Sequence, residues 1–381
     1  MKSDSKKRRF RRWLLIVLLL CVVGAVCGCQ TLSFYRQAVA GQYQILAHQK
    51  QLEKVIADPK TSDTLKEKLQ LVQKLRAFAE KDLELPVNGH YQRYVDVHRK
   101  YVVWNVQSAP EFSLEPKTWW YPFVGSLEYR GYFSERAAQK YAAHLKKEGY
   151  DVSVGGVEAY STLGWFKDPV LNTFIHHNEM ELAEIIFHEL GHQRVFASGD
   201  TDFNEAFATT VGIEGVRRWL KAKGDDVAYA AYGAALRRNE QYVHLVMRTR
   251  EKLEKLYEDE RSEEGKLKET RKQRALPPGQ LRREKQRILG ELREEYGRLK
   301  VQWGGNADYD DWFAHELNNA HLNSVANYYD LVPGFDRVLE LNGGDLEKFY
   351  AAVERLTHKS KDERHQWLEI LGKKESAANQ P

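Results

Sequence analysis

Between Phe34 and Leu83, apolar side chains recur at three- and four-residue intervals, most clearly at Leu65, Leu69, Val72, Leu75 and Phe78. That period marks one face of an α-helix. It predicts helices over Gln37–Val55 and Ser62–Glu80, split at Asp58-Pro59. The pattern then changes. Tyr101–Val106 and Val124–Tyr129 are rich in β-branched and aromatic residues and read as strands, with Val152–Val154 as a third. Between them Ser134 caps a helix through Leu145 that Gly149 ends. Helical patterns return at Glu181–Phe196 and Asn204–Leu220, joined by the turn residues Ser198-Gly199-Asp200. From Tyr242 to Lys300 the chain is dense in charge of both signs and broken by Pro277-Pro278-Gly279, which reads as a solvated helical hairpin with a coiled-coil-like seam. Tyr309–Leu371 is helical again. The expected class is α+β, mainly helical, with a small β-sheet and a long charged helical hairpin.

The first thirty residues stand apart from this pattern. A basic block at Lys2, Lys6, Lys7, Arg8, Arg9, Arg11 and Arg12 precedes an uncharged run from Trp13 to Gly28. The run ends in Val26-Cys27-Gly28-Cys29, which looks like a bacterial lipobox with Cys29 as the lipidated residue. Cys27 departs from the usual small residue there. The alternative is an uncleaved anchor, for which the run is slightly short. Either way the expectation is a cell-envelope protein facing the periplasm, held to the membrane through its N-terminus. Gln30 after the cysteine, where Asp would favour the inner membrane, points to the outer one.

This segment also changes the reading of charge and cysteine. The first 28 residues carry seven basic side chains and one acidic one, a net of +6 against +4 for the whole chain, which leaves the remainder near −2. A basic surface for nucleic acid is therefore not implied. All three cysteines, Cys21, Cys27 and Cys29, lie in the export signal, so no disulfide framework and no cysteine metal cluster is available. A metal would have to be held by His and carboxylate.

Such a set is present in Phe187-His188-Glu189-Leu190-Gly191-His192. Residues i and i+4 share a helix face, so His188 and His192 can reach one ion. Glu189 stands about 100° round the helix, placed to address a water at the metal. A catalytic site needs a third protein ligand and an open position. Glu205, in the first turn of the next helix, is the best candidate; the loop residues Asp200 and Asp202 are rivals, and Asp202 could instead orient an imidazole. Tyr328 or Tyr329 could return to the site as oxyanion donor. His176 and His177 read as decoys, because sequence neighbours point to different faces, and His315 and His321 as helix surface. Glu184 could capture a substrate amine but reads first as a solvated charge, Arg130 reads as a salt-bridge residue, and Tyr160–Trp165 reads as a strand edge that could pair with a peptide.

Several segments resemble a known family: Ala109–Leu114, Tyr129–Phe133, Tyr160–Phe166 with Asp168-Pro169, the His-Glu-x-x-His helix, Phe203–Ala208, and Asn318-Asn319-Ala320 followed by Tyr328 and Asp330–Pro333. Together they are similar to the predicted aminopeptidases of Gram-negative bacterial lipoproteins. The resemblance implies a zincin-like metallopeptidase core, one Zn²⁺ held by His188, His192 and Glu205, Glu189 as general base, and a peptide substrate. Asn204-Glu205 is also similar to the third-ligand helix of gluzincins, with a shorter gap from His192. The expected organisation is a lipoprotein signal over 1–29, a helical region over 30–95, a catalytic core over 96–235, the charged hairpin over 236–302, and a C-terminal helical part of the catalytic domain over 303–381. The competing reading is a non-catalytic envelope scaffold with a structural metal site.

Overall fold

The computed structural model describes residues 31–121, 124–162, 164–265 and 276–378. Cys29 and the rest of the expected lipoprotein signal lie outside the described residues. No helix among those described is long and apolar enough to cross a membrane.

The N-terminal half sets helices against three small sheets. Helix α1 (31–47) leads to strand β1 (Lys50–Gln51), α2 (Leu52–Ala57) and α3 (Asp63–Lys81). Ser62 caps α3 by accepting from the Leu65 amide, and the predicted stripe is buried from Leu69 to Phe78. The single helix expected over Gln37–Val55 is interrupted instead. Lys50 and Gln51 pair antiparallel with β2 (Arg93–Val95), which runs parallel to β8 (Val170–Leu171), so tertiary pairing overrides the local helical pattern.

The second sheet has β3 (Val103–Pro110) between β6 (Tyr129–Tyr132) and β7 (Tyr150–Val157), all antiparallel. Helix α4 (Glu135–Lys147), capped by Ser134, covers it over Val106, Tyr132, Ala138, Ala142, Leu145 and Val152. The single strand expected over Val124–Tyr129 divides into β5 (Gly125–Leu127), which pairs with β4 (Trp119–Tyr121), and β6. The break falls at Glu128, whose buried side chain meets Lys361 and whose amide donates to Thr201. Arg130 does not form the expected salt bridge; its guanidinium lies 4.1 Å from the Phe34 ring centre and 4.9 Å from that of Tyr141.

The rest is helical: α5 (Glu179–Arg194), α6 (Thr201–Lys223), α7 (Asp226–Gly265), α8 (Pro278–Gln302), α9 (Asp310–Ala314), α10 (Asn319–Tyr329), α11 (Val332–Leu341), α12 (Leu346–Thr357) and α13 (Lys361–Ala378). The main core joins α3, α5, α6, α11 and α12 through Phe78, Phe187, Phe203, Phe207, Phe335 and Phe349. The charged arms α7 and α8 bury a second core of Leu245, Val246, Leu253 and Tyr257 against Leu281, Ile288, Leu289, Leu292 and Tyr296, with Leu322 and Val325 of α10. They are also tied to the sheet. Lys285 is buried against Asp151 at 2.5 Å, and the Asn319 amide donates to the carbonyls of Pro110, Glu111 and Ser113, each at 3.0 Å.

His321 is not on a helix surface. It is buried, stacks on Trp312 at 4.2 Å, and places Nε2 3.0 Å from the Trp312 carbonyl and Nδ1 3.2 Å from the Ser153 hydroxyl. Burial pushes its pKa down to about 4, against the opposing pull of the Trp312 carbonyl. An unfolded histidine titrates near ~6.5. Between those values the unfolded chain takes up a proton that the folded one excludes, so this contribution is complete above ~6.5 and is lost as pH falls toward 4. Between pH 7 and 4.5 the wild type should therefore lose about 2–3 kcal/mol more unfolding free energy than His321→Asn. Urea titrations at several pH values check this; parallel curves would contradict it.

Candidate active site

Two consecutive helices build the site. Asn178 opens α5 with a capping box, accepting from Glu181 while the Glu181 carboxylate returns to the Asn178 amide. The helix is buried on most sides, including at Leu182, Ile186, Phe187, Glu189, Leu190 and His192. Val195 to Asp200 then turn the chain, and Asp200 caps α6 through the Phe203 amide. Asn204 fixes this turn: its buried side chain accepts from the Ala197 amide at 2.7 Å and donates to the Ala197 carbonyl at 2.8 Å. Glu205 is thereby held one turn into α6, a turn later than the sequence suggests because the helix already starts at Thr201, and it lies opposite the histidines.

The helices approach almost backbone to backbone. A Cβ on Gly191 would lie 3.3 Å from Ala208 Cα, and one on Gly212 would lie 3.1 Å from the Glu184 carbonyl and 3.5 Å from His188 Cβ. Small side chains on both helices make this spacing possible.

Across the gap, Nε2 of His188 and Nε2 of His192 are 3.2 Å apart. Oε2 of Glu205 is 3.3 Å from the first and 3.6 Å from the second. Tetrahedral zinc with bonds of about 2.0–2.1 Å separates its ligand atoms by about 3.3 Å. The triangle therefore fits zinc in size and donor type. No Lys or Arg among the described residues lies within ion-pair distance of Glu205 or Glu189.

The electrostatics follow from burial and from these neighbours. Burial opposes ionisation of Glu205, yet His192 and His188 hold its carboxyl well below the usual range. Burial lowers the pKa of His188, while the stronger pull of Glu205 and Glu189 overcomes burial at His192 and raises it. Glu189 is pushed up to about 8, first by burial and further by Glu205 and Asp168. Its Oε2 is buried with no hydrogen-bond partner among the described residues, and so is Nδ1 of His192.

Two tyrosines flank the triangle. Tyr328, near the end of α10, lies 6.1 Å from His188 between ring centres, nearly parallel to it, with 36% of its surface exposed. The Glu205 charge and then burial keep its hydroxyl protonated well above the ordinary range. Tyr129 on β6 is likewise raised, by burial and then by Glu205. Sequence reasoning missed Tyr129 as a site residue; its only signal was a place in the Tyr129–Phe133 segment. Tyr329, the other candidate, turns toward Glu184 and Asn239.

The remaining expectations divide. Asp200 and Asp202 do not reach the histidines. Asp200 is fully buried and held by Arg364 at 2.5 Å and His365 at 2.8 Å, while Asp202 faces Lys361 at 3.6 Å. These two carboxylates and His365 could by geometry hold an ion, but Arg364 and Lys361 already supply the countercharge.

His176 and His177 do not point to different faces. Their rings stack at 4.6 Å, because the chain is not yet helical before Asn178, and with Glu158 they form another His–carboxylate group. His177 spends both ring nitrogens there, on Glu158 at 2.5 Å and Glu181 at 3.1 Å. Glu184 is not a solvated charge; it accepts from the Tyr232 hydroxyl at 2.7 Å and is part-buried.

The expected strand edge over Tyr160–Trp165 is a loop among its described residues. Thr162 donates its hydroxyl to Asp168 at 2.6 Å, Gly164 takes a positive φ of 79°, and Gln193 of α5 reaches Ser161 at 2.9 Å. That geometry closes a turn and leaves no extended edge.

Removing the Asn204 side chain leaves the Ala197 amide buried and unpaired, and its carbonyl with the Asp200 amide alone at 3.3 Å. Asn204→Ala should therefore lower unfolding free energy by about 1–3 kcal/mol, measured by urea denaturation. A loss under ~0.5 kcal/mol, the level of an ordinary surface change, would rule out the clamp.

In comparison with known proteins, a family model described as "Putative aminopeptidase" matches residues 33–368. No curated protein and no solved structure matches.

Proposed function

The chain belongs to the family of that description, and from this premise we propose that it is a zinc-dependent peptidase with a zincin-like core, an aminopeptidase anchored in the cell envelope. One observation carries the metal reading: the His188–His192–Glu205 triangle, with edges of 3.2, 3.3 and 3.6 Å, beside the buried, unpartnered Oε2 of Glu189. A purely structural ion site would leave that oxygen without a role, which disfavours the scaffold alternative.

His188, His192 and Glu205 would hold one zinc ion, which when bound acidifies water toward neutrality and polarises a carbonyl. Glu189 supplies the proton acceptor. Its carboxylate, short of hydrogen-bond donors, takes the proton of the attacking water at Oε2 and passes it to the departing amine. Tyr328 and Tyr129, both held in the O–H form near Glu205, donate to the oxygen that becomes negative as the peptide carbon turns tetrahedral. The partner is a peptide. Lipidation of Cys29 would keep the domain at the membrane facing the periplasm, on the outer membrane from the residue that follows it.

Glu189→Gln should retain one zinc per chain by elemental analysis while kcat/KM on a peptide library falls by about 10²–10⁴-fold. Retained hydrolysis would remove Glu189 from the mechanism. His192→Ala should lose the ion as well as activity, and a chelator should inactivate the wild type reversibly. Products shortened from the N-terminus fit an aminopeptidase; internal cuts would overturn that part of the proposal.

A further inference from the structure

Of the acidic side chains along the first turns of α5, Glu184 is the one without a basic partner among the described residues. Glu179 accepts from Trp219 and Lys223, and Glu181 closes the capping box and holds His177. Glu184 has no cation within ion-pair distance among the described residues. Its hydrogen bond comes from the neutral Tyr232 hydroxyl, and the charge nearest in effect is Glu181, of its own sign. Glu184 lies one helical turn before His188, about 6 Å along the axis on the same face. Gly212 lies against both residues: a Cβ there would stand 3.3 Å from Glu184 Cγ and 3.5 Å from His188 Cβ. Across from them, Tyr328 stacks on His188 while the hydroxyl of Tyr329 feels the Glu184 charge.

We propose that Glu184, with the tyrosines around it, is the receptor for a substrate cation, binding an ammonium or guanidinium group of the peptide beside the zinc ligands. This rests on the peptidase reading above. A carboxylate taken from water without a countercharge is costly, and burial already pushes the Glu184 carboxyl above its ordinary pKa. An entering cation restores the missing partner, and aromatic rings with a carboxylate between them suit such a group. The cation has two sources in a peptide: the free α-amine, whose capture one turn from the metal would direct cleavage to the first bond, or a Lys or Arg side chain.

The test uses the zinc-loaded full chain in detergent micelles with three peptides of one core sequence: free at the N-terminus, N-acetylated, and N-acetylated with an internal Lys in place of norleucine. Glu184→Gln keeps the size of the side chain and its acceptor for Tyr232, and an unchanged urea midpoint verifies folding. A drop in kcat/KM of about ten- to hundredfold, the range for a charged hydrogen bond, confined to the free-amine peptide assigns the α-amine. The same drop confined to the Lys peptide assigns the side chain. No drop, or an equal drop on all three, overturns the proposal.

The same peptides are titrated calorimetrically into Glu189→Gln and Glu189→Gln/Glu184→Gln. If the wild type cleaves nothing, the peptidase reading falls, and this titration still decides the role of Glu184. Weaker binding of a cationic peptide to the double variant supports the receptor; equal or undetectable binding to both sinks it.

Discussion

The close approach of α5 and α6 is the constraint on which the site depends. Two imidazoles one turn apart can meet a carboxylate from another helix only if the two backbones nearly touch, and Gly191, Ala208 and Gly212 allow this. A side chain larger than alanine at these points would spread the helices and open the 3.2–3.6 Å triangle. Neighbouring structure reinforces the approach. Asn204 locks the turn, Asp200 is gripped by Arg364 and His365 of α13, and Gly125 of the β4–β5 hairpin lies close enough to Gly199 that a Cβ would stand 2.9 Å from its amide. Phe187 of α5, its ring against Gly215 of α6, also packs on Phe78 of α3 and joins the site helices to the N-terminal helices.

The second constraint is electrostatic. Glu205, Glu189 and Glu184 are removed from bulk water with no Lys or Arg in reach among the described residues, whereas other carboxylates of these helices and their cap, such as Glu179, Glu214 and Asp200, have basic partners. An isolated buried charge destabilises a fold, so an unpaired cluster is retained only where something else brings positive charge. In the proposed function two positive charges enter here, and they are of different kinds. His188, His192 and Glu205 offer the ligand atoms and spacing of a divalent ion. Glu184, with a single carboxylate and phenolic neighbours, suits a monovalent organic cation.

Much of this was legible in the sequence because the signals were local. The four-residue histidine step, the turn at Ser198-Gly199-Asp200, the Ser134 cap and the stripe from Leu65 to Phe78 each depend on residues within about two helical turns. Glu205 was reachable because one short turn forces the next helix to run back. What was hidden depends on distant partners. Nothing near Glu184 in sequence reveals that Tyr232 and Tyr329 will enclose it, and nothing near Tyr129 places its hydroxyl beside Glu205. Stacking of His176 on His177 arises because the helix starts two residues later than a helical reading would need. His321 read as surface because Ser153 and Trp312, its partners, come from other elements.

The charged arms α7 and α8 also change meaning once the folded chain is considered. Their sequence suggests a solvated appendage, yet Leu322 and Val325 of α10 sit in the core that these arms bury, three to six residues before Tyr328. Helix α10 carries Tyr328 over His188 and Tyr329 over Glu184, and the early part of α7 brings Tyr232 to the same carboxylate. The arms therefore support the helix that faces the triangle, with Asn319 and Lys285 anchoring it to the ends of β3 and β7. Helices α5 and α6 fix the ligand triangle from one side, and the arm core sets the height of the tyrosine wall from the other. In the proposed reaction, loosening the arm core would leave the triangle intact and move the hydroxyls, so that metal binding and oxyanion stabilisation would rest on separate parts of the fold.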